Sequence, residues 1–178
     1  MQKRQLLSAI ACATLALTAS TAMAQDKFKI GLILPMTGPF ASTGKQIEAA
    51  ARLYIAQNGD MVAGKKVELI VKDDTSAADV TKRLAQEMIV NEKVSVLAGF
   101  GLTPLAFATA PLATQSKTPM VVMAAATSSI TQASPFIVRT SFTLPQAAVA
   151  IADWAPNNGI KKVVTLVSDY GPGIDAEK

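Results

Sequence analysis

From Phe28 onward, short apolar runs rich in β-branched residues alternate with stretches in which apolar positions recur every three or four residues. The short runs, Phe28 to Leu34, Val67 to Lys72, Val94 to Ala98, Met120 to Met123 and Val163 to Val167, are predicted strands. The stretches between them, Gly44 to Gln57, Ala77 to Asn91, Pro104 to Gln115 and Leu144 to Asn157, are predicted helices. In the second of these, Ala77, Val80, Leu84 and Met88 share one face, which leaves Asp79, Lys82 and Gln86 to solvent. A βαβαβαβ order of this kind predicts an α/β fold built on a parallel, doubly wound sheet. Runs apolar at nearly every position, such as Met120 to Met123, suit a sheet covered on both faces.

The pattern breaks between Pro135 and Pro145, where Phe136 to Thr140 is consistent with a strand leaving the first sheet for another lobe. Beyond it there is room for one helix, one strand and the start of a helix after Tyr170-Gly171-Pro172-Gly173, so a second domain is begun and not finished. The expected division is a leader over 1–24, a first α/β lobe over 25–141 and the opening of a truncated second lobe over 142–178. A second lobe left incomplete is expected to expose apolar surface.

The first residues change the picture of location. Lys3 and Arg4 precede an apolar run from Leu6 to about Leu17, and small residues end in Ala22-Met23-Ala24, the pattern of a cleaved secretory signal. The run is shorter than the roughly 20 residues that span a bilayer, so an exported, periplasmic protein is expected. Cys12, the only cysteine, lies too early for a lipidation site and would leave with the leader, so neither disulfides nor thiolate metal ligands are expected. Charge excludes another class. The chain carries 17 Lys and Arg against 13 Asp and Glu, and loss of Lys3 and Arg4 leaves about +2, scattered rather than clustered. A nucleic-acid or membrane surface is not expected.

Three loops carry candidate chemistry. Gly38 to Gln46 stands where a phosphate-binding loop would lie, but the glycine spacing is one residue too long and Gln46 replaces the Ser/Thr that would meet Mg²⁺; Thr43 with Gln46 reads instead as a capping box. Gly99-Phe100-Gly101 offers two glycines of a dinucleotide fingerprint, with Pro104 in place of the third; Thr103-Pro104 reads as an N-cap and a first-turn proline. Thr127-Ser128-Ser129 reads as a cap for a short helix, and Asp73-Asp74 as a turn and cap. The three threonine-bearing loops share a place, just beyond the carboxyl end of a parallel strand and at a helix start, where open α/β sheets bind ligands. Amides with no intrahelical partner and hydroxyl donors there suit a carboxylate. For catalysis the chain offers no histidine, no nucleophile elbow and no acid pair at metal-ligand spacing, so an enzyme, a cofactor and a metal site are not expected.

Lys29-Ile30-Gly31-Leu32 leading into Pro35-Met36-Thr37-Gly38-Pro39 and Gly44, the segment Val67 to Asp74, and the Tyr170-Gly171 turn together resemble the leucine/isoleucine/valine-binding proteins, type I periplasmic receptors of branched-chain amino-acid ABC transporters. The resemblance runs over essentially everything after the leader. It implies a two-lobed clamshell with the ligand between the lobes, and a monomer that captures a small carboxylate, a branched-chain amino acid or similar, and delivers it to a permease. By the same resemblance Leu102, Thr103, Ala125 and Thr127 hold the carboxylate, Tyr170 is the second lobe's aromatic contribution to the cleft, and Thr43 stands where the best-known members carry an aromatic side chain. That substitution makes one wall roomier or more polar. The acid that holds an ammonium group would lie beyond Lys178. Relatives with a similar front half take amides, urea or aromatic acids, and a ligand-sensing ectodomain of a signalling receptor uses the same clamshell.

Overall fold

A computed structural model describes residues 27–178. The leader reading, and Cys12 with it, falls outside the described residues. The strands are β1 (Lys27–Leu34), β2 (Met61–Val62), β3 (Lys65–Asp73), β4 (Val96–Gly99), β5 (Met120–Val122) and β6 (Ile137–Arg139). The helices are α1 (Ala41–Asn58), α2 (Ala78–Glu87), α3 (Thr103–Ser116), α4 (Leu144–Asn157) and α5 (Gly171–Ala176). A π-helical turn, Met88–Glu92, prolongs α2, and a 3₁₀ turn, Ser128–Gln132, follows β5.

One six-stranded sheet has the order β2-β3-β1-β4-β5-β6. Every pairing is parallel except the short β2–β3 hairpin. That hairpin turns through Ala63 and Gly64, both at positive φ, the geometry favoured by a two-residue hairpin. The period of two sorts the strand residues between faces. Ile33, Leu97, Met120 and Val122 turn toward α2 and α3 and join Leu84, Met88, Phe100, Ala106 and Ala110 in the larger core. Their neighbours Leu32, Leu34 and Ala98 turn the other way, toward Ile47 of α1. Burial of a side chain such as Ile33 or Phe100, each at 0% exposure, contributes about 1.5–3 kcal/mol.

The structure departs from the sequence expectations in four places. Residues Val163 to Val167 form no strand. A strand needs a laddered neighbour, and here Val164 and Leu166 stand 96% and 98% exposed. The segment Phe136 to Thr140 does not leave the sheet at once: Ile137–Arg139 is its edge strand, in register with Met120–Val122. Thr43 and Gln46 make no capping box. Helix α1 begins earlier, at Ala41 after Phe40, and Gln46 Nε2 donates to Ser42 Oγ at 3.1 Å. The capping box instead opens α4, where Thr143 N–H donates to Gln146 Oε1 at 2.8 Å. Finally, Thr103 is the first residue of α3 and Leu102 its N-cap, so the threonine hydroxyl is left for another partner.

Candidate functional site

Strand order reverses at β1, with β3 on one side of it and β4 on the other. The loops leaving β1 and β4 therefore diverge, opening the crevice in which doubly wound sheets take ligands. Gly99 ends β4 at φ +113°, and a Cβ there would stand 2.1 Å from the carbonyl oxygen of Ile33. Only glycine lets the two strands close at this point. The loop after β5 is tied to the loop after β4 by Met123 N–H donating to the Gly99 carbonyl at 2.8 Å and Ala125 N–H to the Phe100 carbonyl at 3.0 Å.

These ties bring two hydroxyls together. Thr103 Oγ1, on the first turn of α3, lies 2.7 Å from Thr127 Oγ1, on the loop after β5. The two residues are only 3% and 5% exposed. Beside them is a cavity of about 130 Å³ lined by Gly101, Leu102, Thr103, Ala125, Tyr170 and Pro172 among others. The amide of Thr103, as a first-turn residue, has no intrahelical acceptor. An apolar wall, hydroxyls and an orphan amide at one edge can hold a small anion with an apolar body.

Of the residues expected from the sequence, the structure brings Leu102, Thr103, Ala125 and Tyr170 to this one cavity and sets Thr127 against Thr103. Thr43, on α1, is not among the lining residues. A larger cavity of about 370 Å³ lies between α1 and the sheet, lined by residues such as Leu32, Tyr54, Leu69, Val121 and Met123. Its lining carries no hydroxyl or amide cluster that would orient a carboxylate, so the smaller cavity is the candidate site. Among the described residues no group of three or more His, Cys, Asp or Glu is placed to hold a metal ion, and no helix is long and apolar enough to cross a membrane.

Three further residues buttress the threonine pair: Ser128, which the sequence offered only as part of a helix cap, and Arg139 and Asp175, which sequence reasoning did not single out as site residues. Arg139 Nη2 donates to the Thr127 carbonyl. Ser128 donates its N–H to Asp175 Oδ2 and its hydroxyl to Asp175 Oδ1, each at 2.7 Å. Burial pulls the Arg139 guanidinium below its ordinary value, opposed by the nearby Asp175 charge. Burial pushes the Asp175 carboxyl up, but the two Ser128 hydrogen bonds and the charges of Lys178 and Arg139 leave it below the usual aspartate value. The available signal was Arg139 itself, a charge at the end of an otherwise apolar run.

The Asp73-Asp74 doublet is structural. Asp73 Oδ1 accepts from the amides of Met36 and Thr75, each at 2.9 Å, and Oδ2 from the Thr37 hydroxyl at 2.6 Å, which pins the loop after β1 to the end of β3. Asp74 is fully buried and accepts from the Ser76 amide at 2.8 Å.

A family described as periplasmic binding protein matches residues 27–178. The chain belongs to the periplasmic binding protein family. It is 47% identical to a Leu/Ile/Val-binding protein homolog from Brucella abortus, over 98% of this chain and 44% of that protein. Among solved structures it is similar to a solute-binding protein of an ABC transporter from Rhodopseudomonas palustris in complex with 3,4-dihydroxybenzoic acid. That pair is 66% identical with a TM-score of 0.84, over 85% of this chain and 42% of the other. A second R. palustris solute-binding protein, in complex with 4-hydroxybenzoate, is 50% identical with a TM-score of 0.83, over the same shares of each chain. The chain thus spans less than half the length of these relatives. The six-stranded, mostly parallel sheet is that of a type I periplasmic binding protein.

Proposed function

We propose that this chain is the front part of a periplasmic solute receptor that captures a small aromatic carboxylate between two lobes and delivers it to an ABC transporter permease. In this reading residues 25–141 belong to the first lobe and 142–178 open the second. The receptor acts as a monomer and performs no chemistry on its cargo.

The observation that carries the reading is the Thr103–Thr127 hydroxyl pair at the carboxyl edge of the sheet, beside a cavity walled by Leu102, Ala125, Tyr170 and Pro172. The hydroxyls suit the carboxylate and the apolar wall suits a ring. The volume, about 130 Å³, is well below the ~300–1,000 Å³ of a complete ligand pocket, as expected of one wall of a cleft whose other wall lies elsewhere. The choice of an aromatic acid over a branched-chain amino acid is supported by the hydroxybenzoates found in the relatives at 66% and 50% identity.

Calorimetry on the full-length mature protein against 3,4-dihydroxybenzoate, 4-hydroxybenzoate, benzoate, leucine, valine and urea tests it. Saturable binding of the aromatic acids, with weaker binding of leucine and valine, is expected. A preference for leucine or valine would overturn the aromatic assignment. No heat from any member of the panel would overturn the receptor.

A further inference from the structure

Asp175 is 6% exposed and does not line the candidate cavity, yet it is joined to it by a short chain of bonds. Its two carboxylate oxygens receive both donors of Ser128, from a residue 47 positions away in sequence. Ser128 follows Thr127 directly, so whatever fixes the Ser128 amide also fixes the Thr127 peptide. The Thr127 carbonyl is held independently by Arg139, at the end of β6. At the other end of α5, Gly171 lies so close to the threonine pair that an added Cβ would stand 3.3 Å from Thr103 Cγ2 and 3.5 Å from Thr127 Oγ1. Helix α5 is therefore seated on the ligand-gripping rim at both its first residue and Asp175.

We propose that Asp175 is a closure latch: its two-pronged grip on Ser128 draws α5 onto the rim of the first lobe, orients Thr127 for the ligand and favours the closed clamshell. The inference rests on the two-lobe reading above, in which α5 belongs to the second lobe. It assigns Asp175 and Ser128 as positioning residues that act on affinity without contact with the solute. A bond that favours the closed state slows ligand escape more than it speeds ligand capture, because opening must break it.

The test compares full-length wild type with Asp175→Asn, Ser128→Ala and the double variant, using 4-hydroxybenzoate as probe. Each single variant is expected to weaken binding about 10-fold or more, through a faster dissociation rate with the association rate nearly unchanged, and the double variant no further than the worse single. The melting temperature of the ligand-free protein should hold for all of them, which separates a latch from a merely structural contact. Wild-type affinity in Asp175→Asn, or an equal loss of stability with and without ligand, would overturn the latch. Should wild type bind none of the panel, the receptor reading falls by itself, and hydrogen exchange of the Ser128 amide decides the latch. Faster exchange in Asp175→Asn than in wild type supports it, and equal exchange overturns it.

Discussion

The side-chain oxygens of Thr103 and Thr127 approach to 2.7 Å from two different loops, buried at the same edge of the sheet. Between two hydroxyls so placed, one proton lies in the shared bond and the other is free to point elsewhere. The pair thus keeps one donor free for an incoming acceptor while remaining satisfied without it. Thr103→Val and Thr127→Val are each expected to weaken binding of an aromatic acid by about 10- to 100-fold, the range for a hydrogen bond to a charged group. Because each valine also deprives the other threonine of its partner, the double variant should lose less than the product of the singles. Calorimetry on the four proteins of the cycle measures this, and fully additive losses would show that the two hydroxyls act separately.

Asp73 fastens the loop after β1 by three hydrogen bonds, from Met36, Thr37 and Thr75. Burial pushes its carboxyl up, but the Thr37 hydroxyl and the Thr75 and Met36 amides outweigh this and leave it below the ordinary 3.8. A carboxyl with a depressed folded-state value stabilises the fold above its unfolded value and loses that contribution as pH falls through the folded one. Asp73→Ala should cost about 1–3 kcal/mol at pH 7, and its deficit relative to wild type should shrink below pH 4. Denaturant melts at pH 7 and pH 3 check both parts.

Asp74, next in the chain, has the opposite sign. Burial, followed in effect by the charge of Asp73, raises its carboxyl above 3.8 despite the Ser76 amide, and its Oδ2 is buried without a hydrogen-bond partner, as is Ser76 Oγ. A raised folded-state value means that ionisation works against the fold: the cost is absent below the unfolded value and grows as pH rises through the folded one. Asp74→Asn keeps the acceptor for the Ser76 amide and removes the buried charge. It is expected to be more stable than wild type at pH 7, by up to about 1–2 kcal/mol, with the advantage vanishing near pH 3. Lower stability of the variant at pH 7 would show that the charge is compensated in a way its hydrogen bonds do not reveal.

These contrasts mark what can be read from the residues alone. The sheet was legible because Ile33, Leu97 and Met120 sit in runs that a doubly covered strand requires, and the rim because Thr103 and Thr127 each follow such a run. The identity of the rim threonines' partners was not legible. A threonine before a helix reads as a cap, and nothing local distinguishes that from a hydroxyl spent on a residue 24 positions away. The grip of Asp175 on Ser128 depends on two loops meeting after the fold has formed, which no periodicity encodes. The Val163 to Val167 run failed for a complementary reason: β-propensity expresses a fit to neighbouring strands, and the chain supplies none there.

That unpaired run leads to the last expectation. Val163, Val164 and Leu166 are 67%, 96% and 98% exposed, and on the adjoining helix α4 Val149, Ile151 and Trp154 are more than half exposed. An apolar, β-branched segment with an open backbone edge is a template for pairing with another chain. A protein made of residues 25–178 alone should therefore self-associate, and Val164→Lys with Leu166→Lys should reduce that association in analytical ultracentrifugation. In the full-length protein the same segment is expected to be a covered strand of the second lobe, where the two lysines would remove apolar burial worth about 1.5–3 kcal/mol per side chain and bury charge in its place. The substitutions should therefore improve the short chain and destabilise the long one. Equal behaviour in both would mean that Val163 to Val167 stays outside any sheet, and that the second lobe does not begin where this reading places it.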